Sequence, residues 1–150
     1  LTADKSEKIP ITKRKIESSL LSLFEELGNK DSTNCELAIS FISEESMKKL
    51  NFRFRNENKI TNVLAFPEFE PLALENFLGN IAICLSVINE EANKGCIKIS
   101  DHLTHIIIHG TLHLLGYDHQ NRESADIMES IEISVLKNLK IDNPYENSIL

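Results

Sequence analysis

Histidines at 109, 113 and 119, with a glycine at 116, constrain this chain more than any other feature, because they set three imidazoles at the spacing a single zinc ion needs. His109 and His113 are four residues apart in a strongly apolar stretch, so on a helix they project from one face, one turn apart. Gly116 can take positive φ at little steric cost, which stops that helix and lets the chain fold back to bring His119 to the same ion from a loop. Three protein ligands leave a tetrahedral site one position short. That open position marks catalytic zinc, since it admits a water whose pKa falls to about 7. With 5 His in the chain, only about 0.006 chance matches to this spacing are expected, so the pattern is read as a metal-dependent hydrolase site and not as three unrelated histidines.

What surrounds the motif narrows the chemistry. Zinc proteases of the H-E-x-x-H type carry a glutamate after the first histidine as general base, and here that position is Gly110. A peptidase would need its base from elsewhere in the chain. Asp118, beside His119, either orients the site or serves as a turn residue bonded to its own backbone; the sequence leaves both open. His105 lies on the same face one turn earlier and reads as a packed or supporting residue. His102 falls off that face near the helix start and is expected to be solvated.

At 150 residues and 41% hydrophobic, the chain suits a single domain over residues 1–150 with one real core. Cys35, Cys84 and Cys96 are odd in number and lack C-x-x-C spacing, so they read as buried thiols in a reducing cytoplasm. Residues 1–8 lack the apolar core of a signal peptide, and the leading Leu1 points to a trimmed or tagged start. No run approaches the ~20 apolar residues that span a bilayer, and a cytoplasmic location is expected. A net charge of −7 at first argues against a nucleic-acid partner. Residues 48–59, however, carry Lys48, Lys49, Arg53, Arg55 and Lys59 against Glu57, a local +4 that leaves −11 on the rest. Such a patch either holds a backbone phosphate or is an ordinary solvated helix face.

Periodicity and capping residues predict the elements. Thr12 caps a helix over Lys13–Leu27 with Gly28 closing it, and Leu37, Ile39 and Phe41 alternate as a half-buried strand. Ser43 caps a short helix carrying Met47, Leu50 and Asn51. Val63–Phe66 and Leu78–Leu85 read as strands, the second so apolar that it belongs in the centre of the sheet, with Pro67–Pro71 a loop between them. Helices follow over Ser86–Lys94, Asp101–Leu115 capped by Ser100, and from Asn121 to about Leu139; Asp142–Leu150 reads as a weakly held tail. The order implies an α+β domain, a small mixed sheet packed by helices, with the zinc site on a central helix and the turn that follows it.

The run His109-Gly-Thr-Leu-His113-Leu-Leu-Gly116-Tyr-Asp-His119 resembles the signature H-G-x-L-H-L-x-G-Y-D-H of the YbeY family of bacterial single-strand-specific endoribonucleases. Further blocks agree in order: Leu50-Asn51 and Arg55, then Thr61-Asn62-Val63-Leu64-Ala65-Phe66-Pro67, then Leu78-Gly79-Asn80-Ile81. Two positions depart, Asn80 where the family usually has Asp and Ile60 where proline is common. The resemblance implies one zinc per chain on His109, His113 and His119, and single-stranded ribosomal RNA as substrate. It also implies a role in 16S rRNA 3′-end maturation and ribosome quality control with the small subunit, and neither a membrane nor a DNA partner. By the same inheritance Arg55 matches the family's functional arginine, pairing with a phosphate oxygen in the transition state; its alternative is a surface ion pair with Glu57. Thr61 and Asn62 either line the groove or cap a turn. Attack by water or by the RNA's own 2′-OH stays open. The rival readings are a zinc hydrolase of peptides or esters and a non-catalytic, zinc-stabilised ribosome assembly factor.

Overall fold

Alternation along the strands decides the architecture of the computed structural model, which describes residues 8–28, 35–68 and 76–146. Strands β1 (Glu36–Phe41), β2 (Val63–Pro67) and β3 (Phe77–Ile83) form a mixed sheet in the order β1-β3-β2, with β1 parallel and β2 antiparallel to β3. Ile39, Phe41, Val63, Ala65, Ile81 and Ile83 turn to one face, where Leu103, Ile106, Ile107 and Leu114 cover them. Leu64, Phe66, Ala82 and Cys84 turn to the other, under Met47 and Leu50. Because both faces of β3 are covered over Ile81–Ile83, its sequence is nearly all apolar, with exposed Asn80 the polar exception, and it sits in the centre as expected.

Helices α1 (Lys13–Glu26), α2 (Glu44–Arg55), α3 (Leu85–Lys94), α4 (Ile99–Leu114) and α5 (Arg122–Asn138) complete the α+β fold. Thr12, Ser43 and Asn121 cap α1, α2 and α5 as their sequence contexts require, each accepting from a backbone N–H in the first turn. Helix α4 is the hub. One side lies on the sheet, and Ile108 and Leu112 on another pack against Leu23 of α1 and Met128, Val135 and Leu136 of α5. The near-complete burial of α4 explains why its sequence is apolar almost all round, with histidines on the remaining strip.

Several expectations are corrected. Ser100 does not cap α4: the helix starts at Ile99 behind Lys98, with no side-chain cap, because Ile99 packs on the core and draws the start forward. Strand β3 stops at Ile83, since Cys84 and Leu85 turn into α3. Only Cys84 is buried; Cys35 is half-buried, and Cys96 is exposed, holding the left-handed position (φ 53°) just after α3. His102 is not solvated: its side chain is 13% exposed, with Nε2 3.1 Å from Glu91 Oε1. The tail is pinned as far as Tyr145, whose hydroxyl donates to Glu132. Residues 1–7, 69–71 and 147–150, from the amino terminus, the expected Pro67–Pro71 loop and the tail, lie outside the described residues.

Gly79 is the glycine the sheet requires. Its φ of 142° is closed to other residues, and an added Cβ would collide with the Phe66 carbonyl and approach Leu114 Cδ2 to 2.9 Å. Gly79→Ala is expected to lower stability by about 2–3 kcal/mol, measurable as a reduced urea midpoint at unchanged m-value.

Candidate metal centre

The C-terminal turn of α4 builds the site. Leu115 caps the helix, Gly116 takes φ 97°, and the bonds Gly116 N–H to His113 O (3.1 Å) and Tyr117 N–H to Leu112 O (3.0 Å) close a Schellman turn. The reversal returns the Tyr117 carbonyl to accept from His113 Nδ1 at 3.0 Å, and it carries His119 over the two helix imidazoles. The His119 ring stacks on His109 with centroids 5.5 Å apart and lies edge-on to His113 at 5.0 Å. One ring nitrogen from each of His109, His113 and His119 falls within 4.8 Å of the others.

Hydrogen bonding fixes which nitrogens are offered. His109 Nδ1 lies 2.7 Å from Glu132 Oε1, and a carboxylate only accepts, so the ring proton sits on Nδ1. The Tyr117 carbonyl likewise fixes the proton of His113 on Nδ1. The Nε2 lone pairs of both rings then face one another at 3.1 Å, an approach that calls for a cation between them, whether a proton or a metal. Two nitrogens bound to one tetrahedral zinc at about 2.0–2.1 Å would stand about 3.3 Å apart, close to what the chain already holds. Burial first, then the neighbouring His109 and His119, push the His113 pKa down to about 4, so this imidazole is neutral at pH 7 and free to donate its lone pair. The donor set and its geometry therefore fit a divalent metal.

Glu132, on the inner face of α5, is the functional residue that sequence reasoning missed. It is fully buried, and three donors converge on it: His109 Nδ1 and His105 Nε2 on Oε1 at 2.7 and 3.1 Å, and the Tyr145 hydroxyl on Oε2 at 2.7 Å. Burial alone would raise its pKa; hydrogen bonds from His105 and His109 outweigh that and hold it down at about 2. Burial and the Glu132 charge push the Tyr145 pKa well above the usual phenol range, which keeps the hydroxyl a donor. His105, His109 and Glu132 also form a group with metal-binding chemistry. At these separations they are hydrogen-bonded to one another, so they form a supporting layer behind the three imidazoles. A single signal marked Glu132 in the sequence, a carboxylate on the apolar stripe of Met128, Val135 and Leu136.

The remaining candidates lie elsewhere. Asp118 is exposed and accepts from Gln120 N–H at 3.3 Å, the turn role. Gly110 faces the sheet, where an added Cβ would lie 3.2 Å from Ile81 and 3.4 Å from Val63, so the position that carries the base in a zinc protease points away from the histidine strip. Arg55 ends α2 on the surface, 3.9 Å from Glu57, and makes no hydrogen bond or cation–π contact with the imidazoles among the described residues. The loop that follows it is tied down by buried Asn51, whose Nδ2 donates to Lys59 O at 3.0 Å. Asn62 donates to Glu91 Oε1 at 3.0 Å, the oxygen that also meets His102, and so joins the start of β2 to α3 and α4. The Glu91 pKa is lowered because the bonds from His102 and Asn62 outweigh its burial. No helix among the described residues is long and apolar enough to cross a membrane.

Comparison with known proteins gives a consistent result. The family model described as Endoribonuclease YbeY matches residues 1–140. A protein of that name from Alteromonas mediterranea is 45% identical over 112 residues, covering 74% of this chain and 71% of the relative. One from Francisella tularensis subsp. tularensis is 39% identical over 132 residues, covering 84% and 79%. The solution structure of TM1509 from Thermotoga maritima superimposes with a TM-score of 0.56 at 26% identity, covering 99% of this chain and 95% of that one.

Proposed function

The chain belongs to the YbeY family of endoribonucleases, and from that membership we propose that it cuts single-stranded RNA at one zinc ion held by His109, His113 and His119, in a single domain over residues 1–150. RNA hydrolysis follows from the family, and a metal requirement accords with the histidine cluster. Zinc as the metal, the 3′ end of 16S rRNA as the target and the small ribosomal subunit as the setting are the finer parts of this reading. The observation that carries it is the pair of Nε2 lone pairs 3.1 Å apart beneath His119.

When bound, the metal supplies Lewis acidity, lowering the pKa of a water or polarising a phosphoryl oxygen. The chain's own residues do the rest. Glu132 and the Tyr117 carbonyl hold both Nδ1 protons, which keeps both Nε2 atoms aimed at one point without reorganisation. Arg55, a fixed cation with a planar fork of donors, pairs with a non-bridging phosphate oxygen as charge gathers there, exchanging its weak exposed partner Glu57 for the substrate.

Arg55→Ala separates binding of metal from chemistry. It is expected to retain about one zinc per chain while cleavage of a labelled single-stranded RNA falls roughly 10²–10³-fold. Metal analysis and cleavage on one preparation check this; undiminished cleavage would remove Arg55 from the reaction.

A further inference from the structure

The outward face of α2 carries an aromatic ring that the fold does not use. Met47 and Asn51 on the opposite side are fully buried against the sheet, whereas Phe52 is 55% exposed. Lys48, Lys49 and Arg55 stand at positions i−4, i−3 and i+3 from Phe52, so all three cations share its face of the helix. Each of them is exposed. Phe54 is engaged differently, edge-on to Phe66 at 5.0 Å with the Arg53 guanidinium 5.5 Å from its ring, while no ring contact or cation–π contact engages Phe52 among the described residues.

Resting on the endoribonuclease reading, we propose that Phe52 is a stacking platform for an unpaired base of single-stranded RNA, with Lys48, Lys49 and Arg55 taking the phosphates on either side. A phenyl face stacks on any base, and cations around it track the backbone, the combination by which single strands are held without sequence preference. Lys49 and Arg55 now pair with Glu45 at 3.3 Å and Glu57 at 3.9 Å, exposed contacts that phosphates readily displace. The −11 carried by the rest of the chain repels RNA from other surfaces and directs it to this face. A duplex buries both faces of its internal bases, so the platform discriminates for single strands.

The test is anisotropy binding of a fluorescein-labelled single-stranded 12-mer RNA, and of its duplex, to the metal-free protein, which leaves the RNA intact, comparing parent, Phe52→Ala and Phe52→Tyr at several salt concentrations, with cleavage by the metal-loaded parent measured separately. Phe52→Ala should weaken single-strand binding about tenfold with an unchanged salt slope, Phe52→Tyr should bind as the parent does, and duplex binding should not change. The chain has no tryptophan, so Phe52→Trp adds a single reporter whose emission should be quenched on saturation with RNA. Parental binding together with Phe52→Ala within twofold of it, or equal losses on single strand and duplex, would overturn the stacking role alone. Failure of the parent to bind or cut any RNA would overturn the functional reading, and this proposal with it. Circular dichroism of each variant guards against misfolding, and an unquenched Phe52→Trp that still binds RNA also counts against the proposal.

Discussion

A His113→Ala protein is expected to purify without bound metal and to cleave single-stranded RNA at least about a thousandfold more slowly than the parent. The substitution removes one of the two facing lone pairs and the tether to Tyr117, leaving His109 and the exposed His119 to hold an ion alone. The fold should survive. The core contacts of α4 are made by Leu103, Ile106, Ile107, Ile108 and Leu112, so the urea midpoint of the metal-free variant should lie near that of the metal-free parent. Cleavage at the parental rate by a verified metal-free preparation of this variant would end the metal mechanism.

Glu132→Gln should be nearly as informative, through affinity and stability together. Three donors converge on two carboxylate oxygens in a fully buried position, and an amide accepts at only one of them while presenting its own N–H donors to the others. Zinc affinity should fall about 10- to 100-fold as His109 loses its fixed tautomer. The metal-free protein should lose about 2–3 kcal/mol at pH 7, the scale of a buried charge-assisted network left half-satisfied. The sign with pH follows from the depressed Glu132 pKa. Stability contributed by a carboxylate held at about 2, against 4.5 in the unfolded chain, is fully present above about pH 4.5 and is lost as pH falls toward 2. The parent's advantage over Glu132→Gln should therefore shrink between pH 5 and pH 2, measured by urea unfolding of the metal-free proteins. Equal zinc affinity and a constant difference across that range would show Glu132 to be a packing residue only.

Most of the frame was legible because it depends on local signals. Thr12, Ser43 and Asn121 cap where a hydroxyl or amide precedes a periodic apolar run, and the nearly all-apolar stretch of β3 told of two covered faces. The three imidazoles were legible because His109 and His113 share a helix face and Gly116 makes the turn back to His119. What escaped depends on pairings far apart in sequence. Glu132 meets His109 across 23 residues, and alone on an apolar stripe it looks like a flaw. His102 finds Glu91, and Tyr145 finds Glu132, only once α3, α4 and α5 are packed. Ser100 shows the converse, a good capping residue overridden by burial of Ile99. Gly110 was legible as a missing base, and the fold adds that this position faces Ile81 and Val63.

The central claim, that one metal ion on these three histidines drives RNA cleavage, is tested most directly by titrating zinc into metal-free protein and following the initial rate on a labelled single-stranded RNA. The rate should start near zero, rise in proportion to added zinc and break sharply at one equivalent per chain. Full activity before any zinc is added, or no activity at any ratio in protein that binds one equivalent, would contradict it.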